Sequence, residues 1–245
     1  MSLETAAALA ALMFAAAVLY SMVGHAGASG YLAVMALFGL APAVLRPTAL
    51  TLNLCVAVIA TATFARAGCF RWPLFWPFAL TSVPCAFVGG MLHLPPGAYR
   101  AALGLVLLFS AVRLLVPDPR ADDPLRPLPV GLGLGLGALL GLLSGLTGVG
   151  GGIFLSPLLL FARFASPRET AGVSAPFILV NSAAGLLGGR DGLAHLPPAW
   201  PWWALAVIVG GLLGSRVGAR KLGAPSIRRV LAAVLGVAAA KMLLG

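Results

Sequence analysis

The sequence predicts an all-α polytopic membrane protein built from two inverted-topology repeats. Each repeat has about five hydrophobic helical segments, with broken or re-entrant helices at the repeat-related Gly-rich motifs. Three observations carry this reading: charge is scarce, apolar runs follow one another almost end to end, and one sequence unit occurs twice. Apolar residues make up 60% of the 245 and charged residues 9%, with a mean hydropathy of +1.03. A soluble domain carries about a quarter charged residues, so this chain could not cover itself with polar surface in water. A membrane span needs roughly 20 apolar residues to cross about 30 Å of hydrocarbon. Such stretches fill the chain and leave no room for a separate soluble domain.

The net charge of +10 comes from 16 Lys and Arg against 6 acids. The basic residues are spread between the apolar runs, as in membrane loops, rather than gathered on one patch. That pattern excludes nucleic acid as a partner and leaves the lipid bilayer as the natural one. Cys55, Cys69 and Cys85 have neither metal nor disulfide spacing and read as small packing residues. No metal and no cofactor is expected. The chain opens Met1-Ser2-Leu3-Glu4-Thr5, without a basic leader, so no cleaved signal peptide is expected.

The repeat is read from ordered matches. Arg46-Pro47-Thr48-Ala49 recurs as Arg168-Glu169-Thr170-Ala171, and Gly30-Tyr31-Leu32 as Gly152-Ile153-Phe154, both at an offset of 122. Trp76-Pro77-Phe78 matches Trp200-Pro201-Trp202, and Arg66-Ala67-Gly68 matches Arg190-Asp191-Gly192, both at 124. The stretch from Arg100 to Arg113 matches Arg228 to Lys241 at 128. The offset grows only at loops, where insertions are tolerated.

Each half parses into five segments: about 5–23, 30–41, 48–65, 73–92 and 99–116, then 130–146, 152–163, 170–188, 197–216 and 226–244. The units are therefore residues 1–116 and 130–245, joined by a polar, proline-rich linker at 117–129. Segments 30–41 and 152–163 are too short for an ordinary span. They either cross fully or pair with 5–23 and 130–146 as hairpins that enter the membrane and return. Five crossings per half or three are both odd, so the halves are inverted either way.

Charge sets the orientation. Arg66, Arg71, Arg113, Arg120, Arg126, Arg163, Arg168, Arg216, Arg220, Lys221, Arg228 and Arg229 fall on one side, and Arg46, Arg100, Arg190 and Lys241 on the other. The side richer in Lys and Arg is the cytoplasmic one. Both termini are then periplasmic and the linker cytoplasmic.

The chemistry lies in two glycine-rich breaks. The first is Ser21-Met22-Val23-Gly24-His25-Ala26-Gly27-Ala28-Ser29-Gly30, and its counterpart is Ser144-Gly145-Leu146-Thr147-Gly148-Val149-Gly150-Gly151-Gly152. Irregular backbone at membrane depth survives only where protein or water satisfies it. The short helices that follow would turn free N–H groups and positive dipole ends toward the breaks, which suits an anion. Paired interruptions at corresponding positions of two halves point to a transporter site near the midplane. Candidate substrate-binding residues are Gly24, His25, Gly27, Ser29 and Gly30 in the first break, and Thr147, Gly148, Gly150, Gly151 and Gly152 in the second. Asn53, Ser174 and Asn181, polar groups inside apolar segments, join them, and Ser174 with Pro176 is expected to break its helix. The plain alternative for the breaks is tight turns at the membrane surface. For His25 it is a hydrogen-bonded structural role, and for Asn53 and Asn181 polar adhesion between helices. Gly137, Gly141 and Gly145, and likewise Gly210, Gly214 and Gly218, recur every four residues and read as packing faces.

The acids Glu4, Asp118, Asp122, Asp123, Glu169 and Asp191 all fall in loops or at segment ends. No carboxylate stands mid-membrane, where it would mark a cation site or proton relay. A cation transporter is hard to build from this inventory, and an anion transporter is not. Gly27-Ala28-Ser29-Gly30 fits the G-x-S-G of intramembrane serine proteases, but no second histidine in an apolar span completes a dyad. The run Gly145 to Gly152 lacks the Lys-Ser/Thr of a nucleotide-binding loop. No enzyme is expected.

The stretches from Met22 to Leu32, from Arg46 to Asn53, and Gly148-Val149-Gly150-Gly151-Gly152-Ile153 with Pro157 resemble the sulfite exporter TauE/SafE family of permeases. The resemblance runs through both halves. It departs at Gly27-Ala28-Ser29-Gly30, where many members carry a Gly-Gly-Gly-type run. It implies a bacterial inner-membrane carrier of small anions, chiefly sulfite and organosulfonates. The rival functions are an anion channel and a membrane scaffold subunit that transports nothing. The oligomeric state is open between monomer and homodimer, and the substrate, direction and coupling ion are open as well.

Overall fold

The computed structural model describes residues 2–115, 124–220, 235–237 and 239–244, all of them helix, turn or extended connection with no strand. Within the described residues the bounded α-helices are α1 Leu3–Ser21, α2 Ala28–Leu37, α3 Pro42–Arg66, α4 Trp72–Met91, α5 Pro96–Leu115, α6 Val130–Thr147, α7 Gly152–Phe161, α8 Pro167–Gly188 and α9 Trp200–Arg220. A 3₁₀ turn covers Arg190–His195, and residues 235–237 and 239–244 are helical. Most of the linker predicted at 117–129 and the first part of segment 226–244 lie outside the described residues. So do Arg120, Lys221, Arg228, Arg229, Asp118, Asp122 and Asp123.

Local chemistry sets the ends. Ser2 caps α1 by accepting the Thr5 amide at 3.2 Å. Ser166 and Glu169 form a reciprocal capping box at the start of α8, with Pro167 in the first turn. Gly148 ends α6 in the left-handed conformation at φ 81°. The third segment, expected from 48, starts at Pro42, because proline at the first helical position loses no hydrogen bond.

One expectation is overturned. Ser174 and Pro176 do not break α8, which runs unbroken from Pro167 to Gly188. Pro176 removes one amide, and a helix packed among protein neighbours tolerates that loss at membrane depth.

Among the described residues, six helices are long and apolar enough to cross a membrane: α1, α3, α4, α6, α8 and α9. In contrast, α2 and α7 have 10 residues each, about 15 Å at 1.5 Å per residue, half of a bilayer core. The packing crosses between the halves. α1 lies along α9, α6 lies along α4, and α3 packs on α8. The glycine stripes make the first two pairings close. A β-carbon on Gly137, Gly141 or Gly145 would strike α4 at Phe78, Ser82 or Ala86, and one on Gly210, Gly214 or Gly218 would strike α1 at Phe14, Val18 or Met22. These are packing faces, as their spacing predicted.

The ends of the bundle can be read from its contacts. At one end Arg71 pairs with Glu169 at 2.8 Å, and the Arg126 amide donates to the Arg163 carbonyl at 2.7 Å. At the other, Arg46 donates to the carbonyls of Leu92 and Gly90, the free C-terminal carbonyls of α4, and Lys241 Nζ donates to the Leu37 carbonyl at 2.7 Å. Arg46 therefore caps the C-terminal end of α4.

Candidate functional site

Helix α1 ends in a hydrogen-bonded turn. The amides of Met22, Val23, Gly24 and His25 donate to carbonyls of Val18, Tyr20, Ser21 and Tyr20 in that order. The chain then enters α2 through Gly27, which holds φ 104° as its N-cap. The second break is built similarly, with Gly150 and Gly151 both at φ 80° and Gly151 as the N-cap of α7. A non-glycine residue would be strained at those angles. Each break also packs against the other half. Gly24 lies on Ala171 in the first turns of α8, and Gly148 lies on Arg46 in the first turns of α3.

The two breaks touch. His25 Nε2 is 3.1 Å from the Gly152 carbonyl oxygen and 3.1 Å from Ser156 Oγ. A carbonyl only accepts, so Nε2 carries a proton and donates to Gly152. Ser156 Oγ lies in turn 2.8 Å from Ser174 Oγ. Asn53, 1% exposed, makes a second bridge. Its Oδ1 accepts the Ala28 amide at 3.2 Å, and its Nδ2 donates to Ser182 Oγ at 2.9 Å. The Ala28 amide can only donate, which fixes the orientation of the carboxamide.

The remaining predicted residues lie on the edges of this junction. Ser29 is buried in the first turn of α2, and Gly30 packs on Ala16 and Tyr20 of α1. Thr147 turns its hydroxyl back to the Leu143 carbonyl at 2.7 Å, while its own carbonyl accepts Tyr99 Oη–H at 3.1 Å. Asn181 donates to the Phe177 carbonyl at 2.8 Å, and its Oδ1 is buried without a partner.

Four residues of the junction were not singled out from sequence: Ser156, Ser182, Ser144 and Tyr99. Ser156 stands beside Pro157 in the short apolar segment, and Ser182 directly follows Asn181. Those placements were the available signals. The partner of Asn53 lies 129 residues away, off the repeat offset of 122, so the repeat could not reveal it. Among the described residues there is no cluster of His, Cys, Asp or Glu that could hold a metal ion.

A helical chain with six spanning-length helices and two buried, touching interruptions has the architecture of a multi-pass membrane transporter. The comparisons agree with that class. The profile of the sulfite exporter TauE/SafE family matches residues 9–242, and the chain belongs to this family. It is 41% identical over 240 residues to a protein of Sinorhizobium fredii named a probable membrane transporter protein, covering 96% of this chain and 97% of that one. It is 25% identical over 206 residues to a protein of Methanocaldococcus jannaschii with the same description, covering 77% of this chain and 74% of that one. No solved structure matches it. The protein is a membrane transporter.

Proposed function

We propose that the protein is a secondary carrier in the bacterial inner membrane that moves a small sulfur-containing oxyanion, sulfite or an organosulfonate, by alternating access. In this reading residues 1–116 and 130–245 act as two inverted repeats, with both termini periplasmic. The anion binds where the breaks meet, held by backbone amides, hydroxyls and the Asn53 carboxamide. The observation that carries the reading is the direct His25–Gly152 contact between two repeat-related interruptions. An anion losing water in a low-dielectric site needs hydrogen-bond donors above all, and the hydroxyls of Ser156, Ser174 and Ser182 and the Asn53 Nδ2 stand around this contact.

The acids support the same sign of charge. Glu169 is engaged with Arg71 and the Ser166 amide, Glu4 lies in the first turn of α1, and Asp191 lies in the 3₁₀ turn. None of these reaches the junction.

The test is thermal unfolding of the detergent-purified protein in sulfite, sulfate, thiosulfate, alkanesulfonates and carboxylates. A ligand of the native state stabilises by RT ln(1 + [L]/Kd), so a specific sulfur oxyanion raises the midpoint with saturation. Equal response to all anions, or none, overturns the substrate assignment.

A further inference from the structure

The two breaks correspond in sequence but differ in chemistry, and one side chain makes the difference. Asn53 stands between them. It turns its acceptor, Oδ1, to the first break, where it takes the Ala28 amide. It turns its donor, Nδ2, to the second, where a β-carbon on Gly150 would collide with it. At the first break the site for an acceptor on α2 is thus filled from within the protein. Tyr31 covers the same place, its ring lying against Gly27 and its hydroxyl donating to the Ala26 carbonyl at 2.6 Å.

At the second break nothing plays the part of Asn53 Oδ1. Residues 149–153 are buried, and the amides of Val149, Gly150, Gly151, Gly152 and Ile153 have no acceptor among the described residues; at the first break those of Ala26, Gly27, Ser29 and Gly30 likewise have none, so the breaks differ at the Ala28 amide, which Asn53 holds. Orphaned buried amides are rare in folded proteins, and a run of N–H groups around left-handed glycines leading into a helix forms an anion-binding concavity.

A second observation points the same way. Ser144 is 0% exposed and its hydroxyl has no partner. Its Cβ would lie 3.4 Å from a β-carbon on Gly151, so the side chain stands against this same turn. Ser182 Oγ, which accepts from Asn53, keeps its own proton to give, 3.0 Å from the β-position of Gly150. The second break is therefore lined by the donors Ser182, Asn53 Nδ2 and the amides of 149–153, with Ser144 packed on the turn through its β-carbon and its hydroxyl unpartnered.

Resting on the carrier reading above, we propose that the substrate oxyanion binds at one break only. It sits at residues 149–153 in front of α7, with Ser144, Ser182 and Asn53 Nδ2 as side-chain donors. Asn53 Oδ1 acts as a built-in acceptor that keeps anions off the first break.

Sulfite binding to the full-length purified protein, measured by calorimetry, tests this. The wild type should bind one sulfite per chain. Ser144→Ala should raise Kd roughly ten-fold or more, the loss of a hydrogen bond to a charged group. Ser21, the counterpart in the first break, is also 0% exposed with an unpartnered hydroxyl. Ser21→Ala should leave Kd within about two-fold, inside the scatter of the tenfold-per-1.4 kcal/mol scale. Asn53→Asp keeps the Ala28 acceptor but turns a negative oxygen toward Gly150, and should abolish binding. In [15N]glycine-labelled wild-type protein, sulfite should shift the amide signals of Gly150, Gly151 and Gly152 and spare those of Gly24 and Gly27, a readout that needs no variant to fold. Ser21→Ala weakening sulfite as much as Ser144→Ala, two sulfites per chain, or shifts centred on Gly24 and Gly27 overturn the assignment while the carrier reading stands. A wild type that binds none of sulfite, sulfate, thiosulfate or the alkanesulfonates overturns both.

Discussion

Asn53 Nδ2 donates to Ser182 Oγ at 2.9 Å, and this bond joins α3 to α8, the two helices against which the glycine breaks pack. Both residues are fully or almost fully buried, at 1% and 0% exposed. Removing one partner of a buried hydrogen bond costs about 1–3 kcal/mol, because the other partner stays dry and unpaired. Asn53→Ala and Ser182→Ala should each lower the thermal midpoint in detergent. The double variant should lose less than the sum of the two, since the pair shares one interaction. Strict additivity would show that the bond is not what couples the helices.

His25→Gln tests the other bridge. Glutamine offers an N–H that can replace Nε2 toward the Gly152 carbonyl, and it does not titrate. Folding and oxyanion binding should stay near wild type. If His25 carries the coupling proton, the pH dependence of flux in reconstituted vesicles should flatten in this variant, because glutamine has no ring nitrogen to protonate. An unaltered pH profile would leave His25 as a structural donor.

Helix approach should be intolerant of a single methyl group at the stripes and indifferent elsewhere. A β-carbon on Gly141 would overlap the Ser82 backbone, whereas around Gly131 and Gly135 it meets nothing within 4 Å. Gly141→Ala should cost on the order of 1–3 kcal/mol or prevent folding, through overpacking against backbone that cannot yield. Gly135→Ala, in the same helix, should be neutral or stabilising by about 0.4–1 kcal/mol. Comparable melting of the two variants would contradict the packing of α6 on α4.

Orientation can be read by labelling. A cysteine at Leu125, an exposed position within the linker, should resist an impermeant thiol reagent in intact spheroplasts of a strain carrying the chain without its three native cysteines. It should react once the membrane is permeabilised. Labelling from outside would reverse the assigned topology.

Arg46→Ala should destabilise the protein by about 1–3 kcal/mol without weakening sulfite binding, because its guanidinium serves the free carbonyls at the end of α4. Loss of binding with unchanged stability would place Arg46 in the ligand path instead.

Much of this architecture was readable beforehand because bilayer physics leaves few options. Charge depletion and run length identify spans, and the short segments after each glycine break became the ten-residue helices α2 and α7. The stripes of Gly137 to Gly145 and Gly210 to Gly218 announced close packing through their spacing alone. Their partners were not legible. Nothing in the sequence says that α6 seats on α4 of the other half, since small residues permit an approach without naming the helix that makes it. Proline misled at Pro176, because the lost N–H bond and the ring's clash with the preceding turn weaken a helix without having to end it where packed neighbours support the chain. The polarity of Asn53 was also hidden. The sequence reveals a carboxamide in a span, but only three-dimensional placement decides which break receives its oxygen.

The crossed seating of α1 on α9 and α6 on α4 has a consequence for biosynthesis. Helix α6 emerges from the ribosome soon after α4, so its glycine face finds its mate almost at once. Helix α1 is made first, while the helix that receives it, α9, begins only at Trp200. Throughout most of translation α1 rests in the bilayer with lipid against the surface that α9 will later cover. Its apolar composition makes that wait harmless as long as the chain is completed. A chain halted before Trp200 would leave bare the face of α1 that α9 covers, with α2 and α3 packed on that helix.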